Sequence, residues 1–237
     1  MTRLRQIRAG VLALGCALAA PAAQAQDVVV PISYDDLAAT SAGRVTFDAL
    51  PRRAEPGLNF DAPMRLGALW LAERFAGQTV AAHGPFDSVG GAPLGPLALR
   101  PGPSGTNQSV AHHRGFGSNA LFPLGPRGFP DLAARGEGAV ALLFDEDQAE
   151  IGLRVHSDYP DPLGQRPARR GRVTLVLYTR QGHEIARHVT PLGPGVTEIA
   201  LRRTRGLRDI AGVLILNDDP GGIAIDDILY QIAPKLG

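Results

Sequence analysis

The chain has 237 residues, 44% of them apolar and 20% charged, with 24 basic against 23 acidic side chains, values that exclude a disordered or fibrous protein. Its 29 Gly and 20 Pro imply many turns and few long helices.

Residues 1–25 read as a secretory signal peptide. Arg3, Arg5 and Arg8 make the positive start, Val11 to Ala20 the apolar stretch, and Ala23-Gln24-Ala25 the small-x-small cleavage site. The apolar run is well short of the ~20 residues that span a bilayer, so cleavage after Ala25 is expected, leaving a secreted or periplasmic chain. Cys16, the only cysteine, lies in this leader. A lipid-bearing Cys16 is the alternative, disfavoured because the apolar run continues beyond it. The body must then be held by core burial or by metal ions, without disulfides. Removing the three arginines takes the net charge to about −2. The basic stretches Arg166, Arg169, Arg170, Arg172 and Arg202, Arg203, Arg205, Arg208 lack interleaved aromatics, so they read as solvated rim and no nucleic-acid partner is expected.

Within 26–237, read as a single domain, Asp27 to Ile32 and Arg44 to Asp48 read as strands. Leu66 to Phe75 leans to strand, although Leu66, Leu69 and Trp70 also fit a helix. Asn107 to His112 and Asn119 to Phe122 are two further strands, separated from their neighbours by Gly/Pro-rich loops at Gly84 to Gly105 and Gly115 to Gly128. The second half is clearer: Ala139 to Phe144, Glu150 to Val155, Arg172 to Thr179, Glu184 to Thr190, Val196 to Leu201, Ile210 to Asn217 and Ile223 to Ile232 are short strands divided by turns. Seven strands with no intervening helical pattern predict an all-β, antiparallel β-sandwich. Tyr178 to Ile185 reads as a hairpin with Arg180-Gln181-Gly182 at its tip.

Several chemistries fail on spacing. His183 and His188 are five residues apart in a strand, on opposite faces, where a zinc-protease helix needs four. Asp145-Glu146-Asp147 lacks the glycine and length of a calcium loop and reads as a charged hairpin tip. No Gly-x-Ser-x-Gly is present. Of His112-His113 only one side chain can join a metal site, with His83, His156 or an Asp as partner; an exposed strand end is the simpler reading. Asn107-Gln108-Ser109 matches an N-glycosylation acceptor.

The densest constellation is acidic. Asp218, Asp219, Asp226 and Asp227 surround one turn, and alternation places Asp227 with Ile225 and Leu229 and Asp226 with Ala224, Ile228 and Tyr230. A carboxylate entering an apolar environment needs an Arg, backbone N–H groups or a cation such as Ca²⁺. If the chain ends lie side by side, Asp35 and Asp48 join Asp226 and Asp227 as candidate ligands of a structural Ca²⁺; Arg pairing and turn capping are the alternative.

Arg52-Arg53-Ala54-Glu55-Pro56-Gly57, Phe75-Ala76-Gly77-Gln78, Gly136 to Asp145, and Asp209-Ile210-Ala211-Gly212 through Asp219 to Ile228 resemble uncharacterised exported alphaproteobacterial proteins. The last strands also resemble secreted sandwich domains of Pro-Glu-Pro-sorted proteins, although no Pro-Glu-Pro follows Tyr230. The resemblance implies a jelly-roll-like β-sandwich distantly similar to carbohydrate-binding modules, with the final Asp-Asp strand as a fold signature. The expected function is non-catalytic binding of a glycan or another envelope component. The alternatives are a polysaccharide hydrolase or lyase using carboxylates among Asp145, Glu150, Asp226 and Asp227, and a structural matrix protein without ligand.

Overall fold

Alternation builds the sandwich. Along Arg172–Tyr178, Val173, Leu175 and Leu177 enter the central core, while Val176 and Tyr178 pack on the opposite face of the sheet. The computed structural model describes residues 27–157 and 171–232. The signal-peptide residues, Cys16, Arg166, Arg169 and Arg170 lie outside the described residues.

In chain order the strands begin β1 Val29–Pro31, β2 Gly43–Val45, β3 Leu58–Phe60, β4 Met64–Leu66, β5 Leu69–Ala72 and β6 Arg74–Phe75. They continue as β7 Thr79–His83, β8 Phe86–Gly90, β9 Leu99–Arg100, β10 Gln108–His113, β11 Ser118–Pro123 and β12 Val140–Gln148. The last are β13 Glu150–Ser157, β14 Arg172–Tyr178, β15 Glu184–Pro191, β16 Gly195–Arg203, β17 Ile210–Asn217 and β18 Ala224–Tyr230. One short helix, α1 Tyr34–Thr40, precedes β2.

The first sheet runs β1-β16-β13-β18-β11-β10-β3, with β2 also paired to β18; the second runs β15-β14-β17-β12-β5-β4. All pairings are antiparallel. Phe47, Leu121, Phe144, Leu153, Leu175 and Ile225 fill the space between the sheets. No described helix is long and apolar enough to cross a membrane.

Both outer faces carry covers. On the first sheet, Tyr34 and Leu37 of α1 pack against Ala200 and Leu229. The helix is absent from the sequence reading because seven residues give too little period, yet its start is written locally: the Ser33 hydroxyl accepts the Asp36 N–H at 3.2 Å. On the second sheet, Phe75, Leu97 and Leu99 pack on Val176, Tyr178 and Leu214, so the stretch expected as a loop from Gly84 to Gly105 in fact contains β8 and β9. A second correction concerns Asp145-Glu146-Asp147. These residues belong to β12, whose pairing with β17 shifts register between Leu143 and Gln148, and the chain then crosses at Ala149 to β13 in the other sheet. They mark a corner between sheets and not a hairpin tip. The tip at Arg180-Gln181-Gly182 is as expected, with Thr179 N–H bonded to His183 O at 2.9 Å.

Leu153, fully enclosed, and Val196, 42% exposed, stand on neighbouring strands. Leu153→Ala is expected to cost about 2–5 kcal/mol in urea unfolding. Val196→Ala should stay within about 0.5 kcal/mol.

Candidate functional site

The acidic pair in β18 sits where the strand changes partner. Ile225 pairs with Leu121 of β11, and three residues later Ile228 pairs with Val45 of β2. On the other edge the pairing with β13 shifts register between Gly152 and Arg154. The extra residue breaks the expected alternation: Ile225, Ile228 and Tyr230 all face the central core, and Asp227 takes φ 53°, a left-handed conformation that Asp tolerates better than most residues.

Side chains supply what the interrupted ladder lacks. Asp226 is 2% exposed, its Oδ2 accepting the Ser118 hydroxyl at 2.6 Å and its Oδ1 accepting the Asp227 N–H at 2.8 Å. Asp48 Oδ1 accepts the Asn119 N–H at 2.9 Å, while the Asn119 amide donates to the carbonyls of Phe47 and Leu50. Asp227 is clamped by two guanidinium groups, Arg44 Nε at 2.8 Å from Oδ1 and Arg154 Nη1 at 3.1 Å from Oδ2. Arg154 also binds Glu198 and lies over the Tyr34 ring. The Tyr34 hydroxyl, pushed up to about 12 by burial and then by the Asp227 charge, donates to the Asp227 carbonyl at 2.8 Å. The structure thus brings Asp226, Asp227 and Asp48 to one seam, whereas Asp35 stands exposed in the first turn of α1. Among the described residues no group of three or more His, Cys, Asp or Glu is placed to hold a metal ion.

The other candidates have local explanations. His112 meets Arg52 at 2.9 Å, while His113 is fully enclosed on the opposite face, beside His156 with ring centroids 4.6 Å apart. Burial, with the His112 charge adding, pushes His113 down to about 4, so it is neutral at pH 7. The Asn107 side chain is buried and donates to the Pro103 carbonyl at 2.8 Å, which closes it to glycosylation in the folded chain. Asp145 accepts the Trp70 indole N–H at 3.1 Å and binds Arg65 at 2.8 Å, and the Arg65 guanidinium lies over the Trp70 ring. Glu150 is paired with Arg202.

A cavity of about 210 Å³ opens on the outer face of the second sheet. The sheet contributes Tyr178, Glu184, Arg187, Leu214 and Leu216, and the cover contributes Gln78, Val89, Gly91, Ala92 and Pro93. Gln78 is fixed by accepting the Phe75 N–H at 3.0 Å, and its amide reaches the Tyr178 hydroxyl at 3.5 Å. Phe75 holds the Tyr178 ring edge-on at 5.7 Å. Burial, with the Glu184 charge adding, raises the Tyr178 hydroxyl, which stays a donor at neutral pH. Arg187 and Glu184 form an open ion pair at 3.2 Å, each nearly half exposed. These residues, spread from 78 to 216, carry no motif; the one local signal is the outward face of Arg172–Tyr178, which ends on Tyr178.

No protein-family model matches the chain, and no curated protein does. Among solved structures, an arabinose-bound α-L-arabinofuranosidase aligns at 15% identity and TM-score 0.30 over 52% of this chain and 22% of its own, so this chain spans about a fifth of that enzyme. A family 29 carbohydrate-binding module aligns at 11% identity and TM-score 0.30 over 55% of this chain and 83% of its own. A family 28 module specific for non-crystalline cellulose aligns at 16% identity and TM-score 0.30, over 53% and 82%.

Burial pushes Asp226 up to about 6, opposed by the Ser118 hydroxyl and Asp227 N–H and reinforced by the charges of Asp227 and Asp48. The folded carboxyl therefore holds its proton more tightly than the unfolded one. This group's contribution to stability is full below about pH 4 and is lost as the pH rises through about 6. Asp226→Asn is expected to flatten urea-unfolding stability over that window and to raise it at pH 8 by about 3 kcal/mol. Because Arg44 and Arg154 already neutralise Asp227, melting temperatures in excess Ca²⁺ and in chelator are expected to coincide; a rise with Ca²⁺ that Asp226→Asn removes would place an ion there.

Proposed function

We propose that this chain is an exported, non-catalytic β-sandwich protein that binds a glycan residue, or a comparable polyhydroxylated component of the cell envelope, in the cavity on the second sheet. The observation that carries the reading is the convergence of Gln78, the Tyr178 hydroxyl, Glu184 and Arg187 on one recess whose remaining wall is apolar, from Val89, Pro93, Leu214 and Leu216. Fixed donors and acceptors beside apolar patches suit a ring that carries hydroxyls on its rim and C–H groups on its faces. At about 210 Å³ the recess is below the roughly 300–1,000 Å³ of sites for larger ligands, so it accepts a single ring or chain end. Trp70 offers no free stacking platform, because Arg65 covers its ring and Asp145 holds its N–H.

Glycan-array screening followed by calorimetry tests this. Arg187→Ala and Glu184→Ala, at exposed positions, are expected to weaken binding at least tenfold with little change in melting temperature, and Asp145→Ala to leave affinity unchanged. Absence of binding to any array member, or equal affinity in all three variants, would overturn the assignment.

A further inference from the structure

The floor and the rim of the cavity on the second sheet differ in kind. Gln78, Tyr178 and Leu214 are 6%, 5% and 2% exposed, whereas the side chains of Glu184 and Arg187 stand nearly half in solvent. Among the described residues the charged lining is confined to that exposed pair, so a group that reaches the floor enters neutral ground.

Bonds already made decide what the floor can offer. Gln78 Oε1 is taken by the Phe75 N–H at 3.0 Å, which turns the amide nitrogen toward the Tyr178 hydroxyl at 3.5 Å. With the hydroxyl oxygen accepting there, its proton is left to donate, and the Gln78 nitrogen carries a second hydrogen. The floor presents donors and calls for an acceptor.

An irregularity in the β14–β15 ladder sets an acceptor above them. Leu177 pairs with Ala186 and Tyr178 with Glu184, so Ile185 is the extra residue of a bulge and packs toward the central core. The insertion brings Glu184 and Arg187, which simple alternation would separate, to the same face as Tyr178. Glu184 Oε2 takes the Arg187 guanidinium at 3.2 Å, and its Oε1 is left open among the described residues. Donors below and a carboxylate above match a trans secondary amide, whose C=O and N–H point in opposite directions. Val89, Leu214 and Leu216 supply an apolar wall for a methyl group. A carboxylate suits the floor less well: burial raises the Tyr178 hydroxyl, and the Glu184 charge acts on it more strongly than the opposing Arg187, a local field that repels anions.

We propose that the cavity recognises the acetamido group of an N-acetylated amino sugar, its carbonyl held by Tyr178 and Gln78, its N–H by Glu184 and its methyl by the apolar wall, with Arg187 left for ring hydroxyls at the rim. This inference rests on the cavity being the glycan site.

Calorimetry on the full chain tests it with four β-1,4-linked trisaccharides that differ at the 2-position: N-acetylglucosamine, glucosamine, glucose, and glucose acetylated on the 2-oxygen, which keeps the carbonyl and methyl but has no N–H. The N-acetylated form is expected to bind at least about tenfold more tightly than the glucose and glucosamine forms, with the O-acetylated form in between. Tyr178→Phe, which keeps the ring, should bring the N-acetylated form down to the level of the glucose form and leave the latter unchanged. Equal affinity for the N-acetylated and glucose forms, an O-acetylated form bound as tightly as the N-acetylated one, or an undiminished preference in Tyr178→Phe overturns the inference. Glycan-array binding confined to sugars without an acetamido group also overturns it while upholding the reading it rests on, and an array with no binder removes both.

Discussion

The chain has to close its final strand into the middle of a sheet without covalent help, because its only cysteine is Cys16. β18 meets β13 along one edge, and along the other it passes from β11 to β2. At that changeover the backbone ladder is interrupted, and unpaired backbone groups there are costly. The Asp227 bulge resolves the interruption. It turns the chain by one residue, keeps Ile225 and Ile228 in the same core, and offers a carboxylate to Arg44 of β2 and Arg154 of β13 together. One ion cluster therefore joins three strands, and the Tyr34 hydroxyl adds α1 through the Asp227 carbonyl. Asp226 and Asp227 thus join the strands around them.

With the core so closed, the two outer faces differ. The first sheet's outer face is occupied by α1 around Ala200 and Leu229, whereas the cover of the second sheet leaves a recess at its margin. That difference follows from how each cover is attached. The helix is capped at Ser33 and buries Tyr34 and Leu37, while the β7–β8 hairpin reaches the sheet through Val89 and through the hydrogen bonds of Asp87. A cover held by few contacts is the part of a fold that moves at least cost.

The second half of the sandwich was legible because its strands alternate cleanly and its turns carry Gly, Pro and Asp: Ile210–Asn217 matches its expected bounds to the residue, and Arg172–Tyr178 falls one short. Alternation failed where a residue is inserted. At Asp226 and Asp227 it placed Ile225 and Ile228 on opposite faces, and at Asp145 to Asp147 it hid a crossing between sheets under the look of a turn. The nearness of the chain ends was foreseen and is seen in the pairing of β2 with β18; the helix that carries Asp35 was not, because seven residues give too little period to read. The cavity was invisible for a different reason. It is assembled from four separate stretches of chain, and a recess between distant elements leaves no local periodicity to read.

The central claim, that the carboxylate of Asp227 joins β18 to its neighbours through Arg154 and Arg44, is tested most directly by a double-mutant cycle in urea unfolding at neutral pH. Asp227→Asn, which tolerates the left-handed backbone, is combined with Arg154→Met. The account predicts a coupling energy of about 1–3 kcal/mol between the two positions. Additivity within about 0.5 kcal/mol would contradict it.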